Sequence, residues 1–451
     1  IYKPPKELEF IPTVSFFKLS LILLRNQGQH EIQKLISESD PDRIGLVKIF
    51  FGNWLIIITD IEHAKPFLSE SGELPEKHLT KIFFGKGVSF SNGDRWVRQR
   101  KIATPAFNRA LRSEMVGECT NEFINLLNKW TDTPIDVFSL MQRITVQILG
   151  KLAFAYDMKA LDNLEEQPRF LKIYTKIIRH VTNTLLVAFP FLNSLPLKRN
   201  AEIISLIREF DDFIFEMIEQ RRLQMSRSKN NDENTDLLAG ILEAANQEEY
   251  NYTAKELRDD IVVYFVAGHD TSSVSLSDVQ KKAREEAINV LGNTSELPTS
   301  ENLKELKYIT AIIMESLRLY PPALQILFRS PTKPLNLSRN ITLPKGVRIT
   351  VSLWQVHRNP AIWNNVDEFI PERFINPEKE IKSNWVPFSS GPRSCIGQNF
   401  SMMEQKVIIA MTLLNFEVSL PPDARHLDRV PLTSSFMLHP KKLDLVFSKL
   451  K

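Results

Sequence analysis

Apolar residues recur at every third or fourth position over much of the chain, from about residue 61 to residue 320, and this spacing predicts helices. The same period continues towards the C-terminus in a stripe made of Phe400, Met403, Val407, Ala410, Met411 and Leu414. Strand patterns occur at about residues 40–60 and 324–355. In the first of these, Gly52 and Asn53 separate two apolar runs and predict a two-residue hairpin turn. The expected fold is mainly α, with a large helical portion and a small β-rich portion.

Length and composition agree with one compact unit. At 451 residues and 43% hydrophobic content the chain can bury a large core, and neither a repeat nor a linker divides it. We therefore expect a single domain over residues 1–451. The formal net charge of +3 is too small to indicate nucleic-acid binding. Two cysteines provide no disulfide framework, which is typical of a reducing compartment and leaves a thiol free to bind a metal.

One cysteine lies in a glycine-bracketed loop, in the run Phe388-Ser389-Ser390-Gly391-Pro392-Arg393-Ser394-Cys395-Ile396-Gly397. Gly391 and Gly397 lack a Cβ and allow the backbone to approach a flat ligand, beneath which Phe388 can pack. Cys395 is expected at a helix N-terminus, where the helix dipole favours a thiolate. The loop therefore predicts a thiolate held against a metal cofactor. The alternative for Cys395 is a buried structural cysteine. We interpret the other cysteine, Cys119, as a cysteine of that kind.

A second candidate site lies at the end of a helical pattern that includes Leu257 and Ile261. It is the segment Ala267-Gly268-His269-Asp270-Thr271-Ser272. Glycine inside a helix costs about 1 kcal/mol relative to alanine, and a buried carboxylate needs a partner. A glycine, an acid and a hydroxyl in an apolar helix therefore indicate a functional site. The alternative is a surface Asp-Thr pair where the helix turns outward.

Two further pairs of residues share predicted helix faces. Glu315 and Arg318 are three residues apart within a helix expected over residues 304–320, although most such pairs are solvated and weak. Trp96 and Arg100 are four residues apart. Their indole and guanidinium groups donate hydrogen bonds and accept none, which suits carboxylates. Taken alone, the second pair is more typical of a protein surface.

These motifs resemble those of the cytochrome P-450 family, in the family's order and over nearly the whole chain. The cysteine run resembles the haem-binding signature, and residues 267–272 resemble the oxygen-site helix. Pro371-Glu372-Arg373-Phe374 follows Glu315 and Arg318 at the distance typical of the family. The overall pattern is similar to the eukaryotic, microsomal branch, with a fungal member as one option.

The resemblance implies a role for each motif. Haem b would be bound through Cys395, whose thiolate donates electron density to the iron and favours O–O cleavage. Gly268 would open a groove for O₂, while Asp270 and Thr271 would relay protons to the distal oxygen. The haem propionates would be bound by Trp96, Arg100 and Arg393, with Arg329 as a further ligand. A buried cluster behind the cysteine loop would consist of Glu315, Arg318 and Arg373.

The function implied is a haem-thiolate monooxygenase that inserts one oxygen atom of O₂ into an apolar, lipid-like substrate. Electrons would come from an NADPH-cytochrome reductase, with cytochrome b5 as an optional second donor. The positions that line the family's pocket are nearly all apolar in this chain, namely Phe265, Val266, Leu324, Ile326, Phe436 and Met437. One rival is a haem-thiolate isomerase or dehydratase, which the retained Asp270 and Thr271 disfavour. The other is a non-catalytic haem-binding protein.

The sequence also bears on membrane attachment and partners. It contains no run of about 18 apolar residues that could span a bilayer. Its start, with Pro4 and Pro5, resembles the hinge after an N-terminal anchor helix in microsomal relatives. We therefore expect an anchor, absent from this chain, and a place on the cytoplasmic face of the endoplasmic reticulum membrane; a naturally soluble protein is the alternative. Arg95, Arg98 and Lys101 fit either an acidic redox partner or a solvated face.

The chain departs from the family after Thr271. Ser277 runs directly into the next predicted helix, so about ten residues, or about 15 Å of helix, are expected to be missing near residues 277–278. Ser277 and Gln280 can form a capping box that starts the new helix. The gap could be a natural deletion, a splice variant, a faulty gene model or residues omitted from the sequence. A deletion that disables oxygen chemistry would give the non-catalytic rival.

Overall fold

Helices make up most of the chain, as the apolar spacing predicts. The computed structural model describes residues 3–25, 29–50, 54–70, 72–74, 81–181, 183, 186, 193, 195, 197–227, 236–245, 252–267, 277–292, 296–424, 432, 438, 440 and 442–450. The helices before residue 230 are α1 Phe16–Leu24, α2 Gln29–Glu38, α3 Ile61–Ser69, α4 Lys81–Phe84, α5 Gly93–Arg109, α6 Ser113–Leu127, α7 Val137–Phe154, α8 Arg169–Val181 and α9 Lys198–Arg227. The later ones are α10 Leu237–Ala245, α11 Ala254–Ala267, α12 Ser277–Leu291, α13 Ser300–Glu305, α14 Lys307–Leu319, α15 Leu353–Val356, α16 Lys379–Asn384 and α17 Gln398–Asn415.

Short strands form three small sheets in the described part. Their bounds are β1 Leu46–Phe50, β2 Trp54–Ile58, β3 Ile135–Asp136, β4 Leu335–Asn336, β5 Thr342–Leu343, β6 Arg348–Val351, β7 Phe416–Ser419 and β8 Asp444–Lys449. The sheets have the strand orders β1-β2-β6, β3-β8-β7 and β4-β5.

The first sheet confirms the predicted β-rich portion. β1 and β2 pair antiparallel from Phe50 opposite Trp54, as a hairpin requires, although the turn at residues 51–53 lies outside the described residues. β2 pairs in parallel with β6, where Ile56 faces Ile349. Because β6 follows the long helical stretch, this pairing joins the two predicted β-rich segments, which are distant in the sequence.

The second sheet was not predicted. Its strand β8 lies between β3 and β7, with Phe447 opposite Val418. A two-residue strand and a four-residue strand are too short to show an alternating pattern, so the sequence contains no periodic signal for them.

The helical core is built around α6, which packs against α17 and α7. Its buried face includes Val116, Phe123 and Leu127. Cys119 lies on that face with no exposed surface, which agrees with its interpretation as a structural cysteine. Burial raises the pKa of its thiol to about 12, so this cysteine stays protonated.

α12 begins at Ser277, where the sequence predicts a new helix. The Gln280 side chain binds the backbone of β7 on both sides: its Oε1 accepts from Val418 N at 2.8 Å, and its Nε2 donates to Val418 O at 3.0 Å. The prediction of a capping box did not include this role. Arg284 adds bonds to the carbonyl oxygens of Leu413 and Phe416, both at 2.9 Å. The helix after the expected gap is therefore firmly docked on α17 and β7.

None of the helices within the described ranges has the length and apolar character needed to cross a membrane.

We predict that Gln280→Ala lowers the free energy of unfolding by about 1 to 3 kcal/mol, because it leaves the N–H and C=O of Val418 without their partner. Urea denaturation measures the change. The control is Lys281→Ala, an exposed neighbour on the same helix, which should shift the free energy by less than about 0.5 kcal/mol. Equal effects of the two substitutions would contradict the docking role of Gln280.

Candidate active site

The Cys395 loop is held in a fixed shape before α17. The Cys395 N–H donates to the Phe388 carbonyl oxygen at 2.8 Å, which closes the loop. Gly391 has a φ of 71°, and a Cβ there would lie 2.1 Å from the carbonyl oxygen of Leu68 in α3. Glycine is therefore required at residue 391 by the contact with α3. This reason differs from the predicted one, the approach of a flat ligand.

Gly397 is different, because the described protein does not crowd it. A Cβ there would meet only the Phe107 ring, at an ordinary 3.6 Å. Its backbone φ of −90° is one that any residue can adopt. Neither packing nor backbone strain in the described protein accounts for this glycine, and the space beside it fits a flat ligand.

Burial and nearby positive groups act in opposite directions on the pKa of the Cys395 thiol. Burial raises the pKa of Cys395 above its ordinary value, and the Gly397 N–H and the positive charge of Arg100 offset this shift only in part. A bound metal cation would add to the second effect and favour the thiolate.

Three guanidinium groups converge beside the loop. Arg100 donates to the Ser394 carbonyl oxygen at 2.7 Å, and Arg393 donates to the Ser91 carbonyl oxygen at 2.8 Å. Burial lowers the pKa of Arg393 to about 10, and repulsion from Arg329 and Arg100 acts in the same direction. The Arg393 guanidinium also lies 4.1 Å from the ring centre of Trp96.

This cationic cluster fits an anion. Neither Arg100 nor Arg393 makes an ion pair with any described residue, and the buried Nε of Arg393 has no hydrogen-bond partner there. Arg329 is held by the Glu70 carbonyl oxygen at 2.8 Å and by the Phe67 ring at 4.6 Å. Buried like charges are stable only with compensating charge nearby, so the cluster is suited to carboxylates.

Glu315, Arg318 and Arg373 form the buried cluster that the sequence predicts. Arg318 binds Glu315 with two parallel bonds of 2.7 and 2.8 Å, and both side chains have no exposed surface. The Arg373 Nε lies 3.1 Å from Glu315 Oε1. A bidentate pair with this geometry offsets the desolvation of its charges.

His357 links this cluster to the cysteine loop, and no sequence motif pointed to this residue. Arg318 donates to the His357 carbonyl oxygen, and the His357 Nε2 accepts from Val386 N, both at 3.0 Å. Burial, with the positive charges of Arg318 and Arg358, lowers the pKa of His357 to about 3. The ring therefore stays neutral and remains an acceptor for the segment that leads into Phe388.

Other predicted residues fall outside this arrangement. Gly268, Asp270 and Thr271 lie outside the described residues, as do Phe436, Met437 and the side chains of Phe265 and Val266. Leu324 is buried beside Trp354, and Ile326 packs on the sheet core.

Arg95 and Arg98 form ion pairs within the protein. Both pair with Glu256 of α11, at 3.3 and 2.5 Å. They therefore tie α5 to α11 through one shared carboxylate, and each arginine side chain remains 30% exposed.

A mainly helical fold, a cysteine loop before a long helix and a cationic cluster beside that loop define the class of haem-thiolate proteins. Comparison with known sequences agrees, since the model of the cytochrome P450 family matches residues 50–447. The chain belongs to the cytochrome P450 family.

Several relatives match most of the chain. It is 30% identical to a cytokinin hydroxylase of Arabidopsis thaliana over 398 residues, which are 84% of this chain and 76% of the relative. It is 31% identical to cytochrome P450 4X1 of Mus musculus over 430 residues, 89% and 82% of the two chains. An 11-oxo-beta-amyrin 30-oxidase of Medicago truncatula is 29% identical over 426 residues, 85% and 78% of the two chains. The family and these relatives support a cytochrome P450 monooxygenase.

The family implies haem bound through a cysteine thiolate. The described residues fit that group: a thiol in a closed loop, an open space at Gly397, and donors at Arg100 and Arg393 suited to propionates.

We predict that Glu315→Gln lowers the free energy of unfolding by about 3 to 5 kcal/mol, because Arg318 and Arg373 remain buried without their counter-charge. Urea denaturation and the haem content of the purified protein measure the effect. The matched control is Glu301→Gln, which also breaks a pair three residues apart, but with a side chain that is 80% exposed. The control should change little, and a small effect of Glu315→Gln would show that the buried cluster is dispensable.

Proposed function

We propose that the chain is a single P450 domain that inserts one oxygen atom of O₂ into an apolar, lipid-like substrate, using electrons from an NADPH-dependent reductase. Cytochrome b5 would be an optional second electron donor. The observation that carries the proposal is the closed loop of Cys395 beside Arg100 and Arg393, neither of which forms an ion pair with a described residue. When bound, haem would supply the iron at which O₂ is activated.

In this proposal Cys395 provides the thiolate ligand of the iron. Phe388, Gly391 and Gly397 shape the loop around the haem. The propionates are held by the indole of Trp96 and the guanidinium groups of Arg100, Arg393 and Arg329. The distances among these residues support the assignment, since Arg393 already stacks on Trp96 at 4.1 Å.

Proton delivery is assigned to the polar residues that follow α11. Gly268 would leave room for O₂, and Asp270 and Thr271 would hold and pass the protons. Their position directly after the apolar second half of α11 supports this role, because a positioned donor speeds proton transfer.

We also propose that the protein lies on the cytoplasmic face of the endoplasmic reticulum membrane. Phe10, Phe16 and Phe17 are 50%, 43% and 72% exposed near the N-terminus. The buried ammonium of Lys48 donates to the carbonyl oxygens of Leu8 at 2.7 Å and Ile11 at 2.5 Å, which fixes the segment before α1. A fixed segment with exposed aromatic side chains suits contact with lipid.

Substitution of the thiolate ligand tests the proposed function. Cys395→Ser should abolish the long-wavelength absorption band of the reduced, carbon monoxide-bound protein, together with reductase-dependent NADPH consumption, because a neutral hydroxyl is a poor iron ligand. Cys119→Ser is the control, since that thiol is buried in the helical core and should leave the band in place. A serine variant at residue 395 with an unchanged band would refute the assignment. Wild-type protein with the band but without NADPH consumption would favour the isomerase or the non-catalytic rival.

Lipid contact is tested with vesicles of phosphatidylcholine. Phe16→Ser combined with Phe17→Ser should reduce co-sedimentation of the chain with the vesicles several-fold, because two exposed apolar side chains no longer enter the lipid. The control is Ile288→Ser, which removes a side chain 41% exposed on α12. Equal sedimentation of all three proteins would exclude this surface as the membrane contact.

A further inference from the structure

Three consecutive side chains at the start of α11 hold the backbone of residues 83–88. Arg258 donates to the Phe83 carbonyl oxygen, Asp259 accepts from Lys86 N at 2.8 Å, and Asp260 accepts from Val88 N at 2.5 Å. All three side chains belong to buried residues. We call this group the α11 clasp.

The segment held by the clasp is adapted to the contact. A Cβ at Gly85 would lie 2.0 Å from the Asp259 carboxylate, and one at Gly87 would lie 2.4 Å from the Asp259 carbonyl oxygen. Only glycine permits the approach at these two positions. The clasp therefore fixes the segment that leads into α5, the helix of Trp96 and Arg100.

A chain of hydrogen bonds leads from Asp260 to the cysteine loop. Gln99 donates through Nε2 to the two carboxylate oxygens of Asp260 at 3.0 and 3.2 Å, and it accepts from the Ser91 hydroxyl at 2.5 Å. The Ser91 carbonyl oxygen accepts from Arg393 at 2.8 Å. Asp260, Gln99 and Ser91 are 0%, 0% and 3% exposed. The start of α11 is thereby joined to the residue two positions before Cys395.

Most of the charged side chains near Asp260 form ion pairs with other residues. Arg95 and Arg98 of α5 are bound to Glu256, and Arg258 is bound to Asp211 of α9 and to Asp259. Tyr264, one turn further along α11, has a buried hydroxyl without a described hydrogen-bond partner. Burial raises the pKa of Asp260 to about 7, while the bonds from Val88 and Gln99 and the charges of Arg95 and Arg98 oppose the shift.

We propose that Asp260 is a positioning residue for haem retention: through Gln99 and Ser91 it sets the place of the Arg393 guanidinium at the propionates. The inference rests on the proposed function, because it assigns Arg393 to haem. As a carboxylate, Asp260 accepts from Val88 and Gln99 with charge-assisted bonds, which are stronger than neutral ones. Protonation weakens both bonds and loosens the chain to Arg393.

The test is the rate at which haem passes from the holoenzyme to an excess of a haem-scavenging apoglobin, measured between about pH 5.5 and pH 8.5. Asp260→Asn resembles the protonated acid at every pH. It should release haem about tenfold faster than wild type at about pH 8, the order found for residues that orient a ligand-binding group. At about pH 5.5 the two rates should converge, because wild-type Asp260 is then protonated. Effects of pH on the thiolate or the propionates cancel in this comparison.

Ser91→Ala provides a second variant that leaves no buried charge unpaired. It removes the hydrogen bond between Ser91 and Gln99, so the rate of haem release should change less across pH 7 than it does in wild type. Glu404→Gln is the matched control, since it replaces an equally buried carboxyl whose Oε1 has no described partner and which is not part of this chain of bonds. In the control, the rate of haem release should change across pH 7 as it does in wild type.

Amide hydrogen exchange of the holoenzyme gives a readout that a general loss of stability would not mimic. In Asp260→Asn at about pH 8, exchange should accelerate within residues 86–91 and 388–395 and stay unchanged in α8 and α9. Coincident haem-release profiles of wild type and Asp260→Asn, or acceleration spread evenly over the chain, would overturn the proposal. Wild-type protein without a thiolate-type haem spectrum would instead refute the proposed function, so the two failures are distinguishable.

Discussion

The arrangement of this protein depends on how its buried arginines are satisfied. Arg318 uses all five of its N–H donors: two on Glu315, and one each on the carbonyl oxygens of His357, Val366 and Glu368. It is a closed network, and such networks make a core rigid. Arg393 is only partly buried, yet its buried Nε has no described partner. The difference separates an arginine that supports the structure from one that is suited to an added anion.

Hydrogen bonds connect the network around Arg318 to the cysteine loop and so to Arg393. From Arg318 the contacts pass to His357, then to Val386, whose carbonyl oxygen accepts from Ser389 N at 2.9 Å. Two residues after Val386, the Phe388 carbonyl oxygen accepts from Cys395 N, which closes the loop. Because burial lowers the pKa of His357 to about 3, the ring stays neutral and this support does not change with pH near neutrality. The backbone that carries the Cys395 thiol is therefore held in place by the buried network around Arg318.

The sequence predicted the parts of this structure that depend on local spacing. Helix periodicity placed Glu315 beside Arg318, and the Gly52-Asn53 signal placed β1 beside β2. It could not predict partners that are distant in the chain, because no local pattern specifies them. Asp260 meets a residue 161 positions away, and Gln280 meets Val418 across 138 positions. Gly391 shows the same limit, since a contact with Leu68 explains a glycine that the sequence attributed to a ligand.

The two helices on either side of residues 268–276 are anchored independently. α11 is held near its start by the bonds of Asp259 and Asp260 to residues 86 and 88, and α12 is held by Gln280 and Arg284 on β7 and α17. Neither set of contacts involves residues 268–276. The contacts of the Cys395 loop, the Glu315 cluster and the arginines beside Trp96 are likewise made outside residues 268–276. The shorter connection that the sequence predicts is therefore compatible with these contacts.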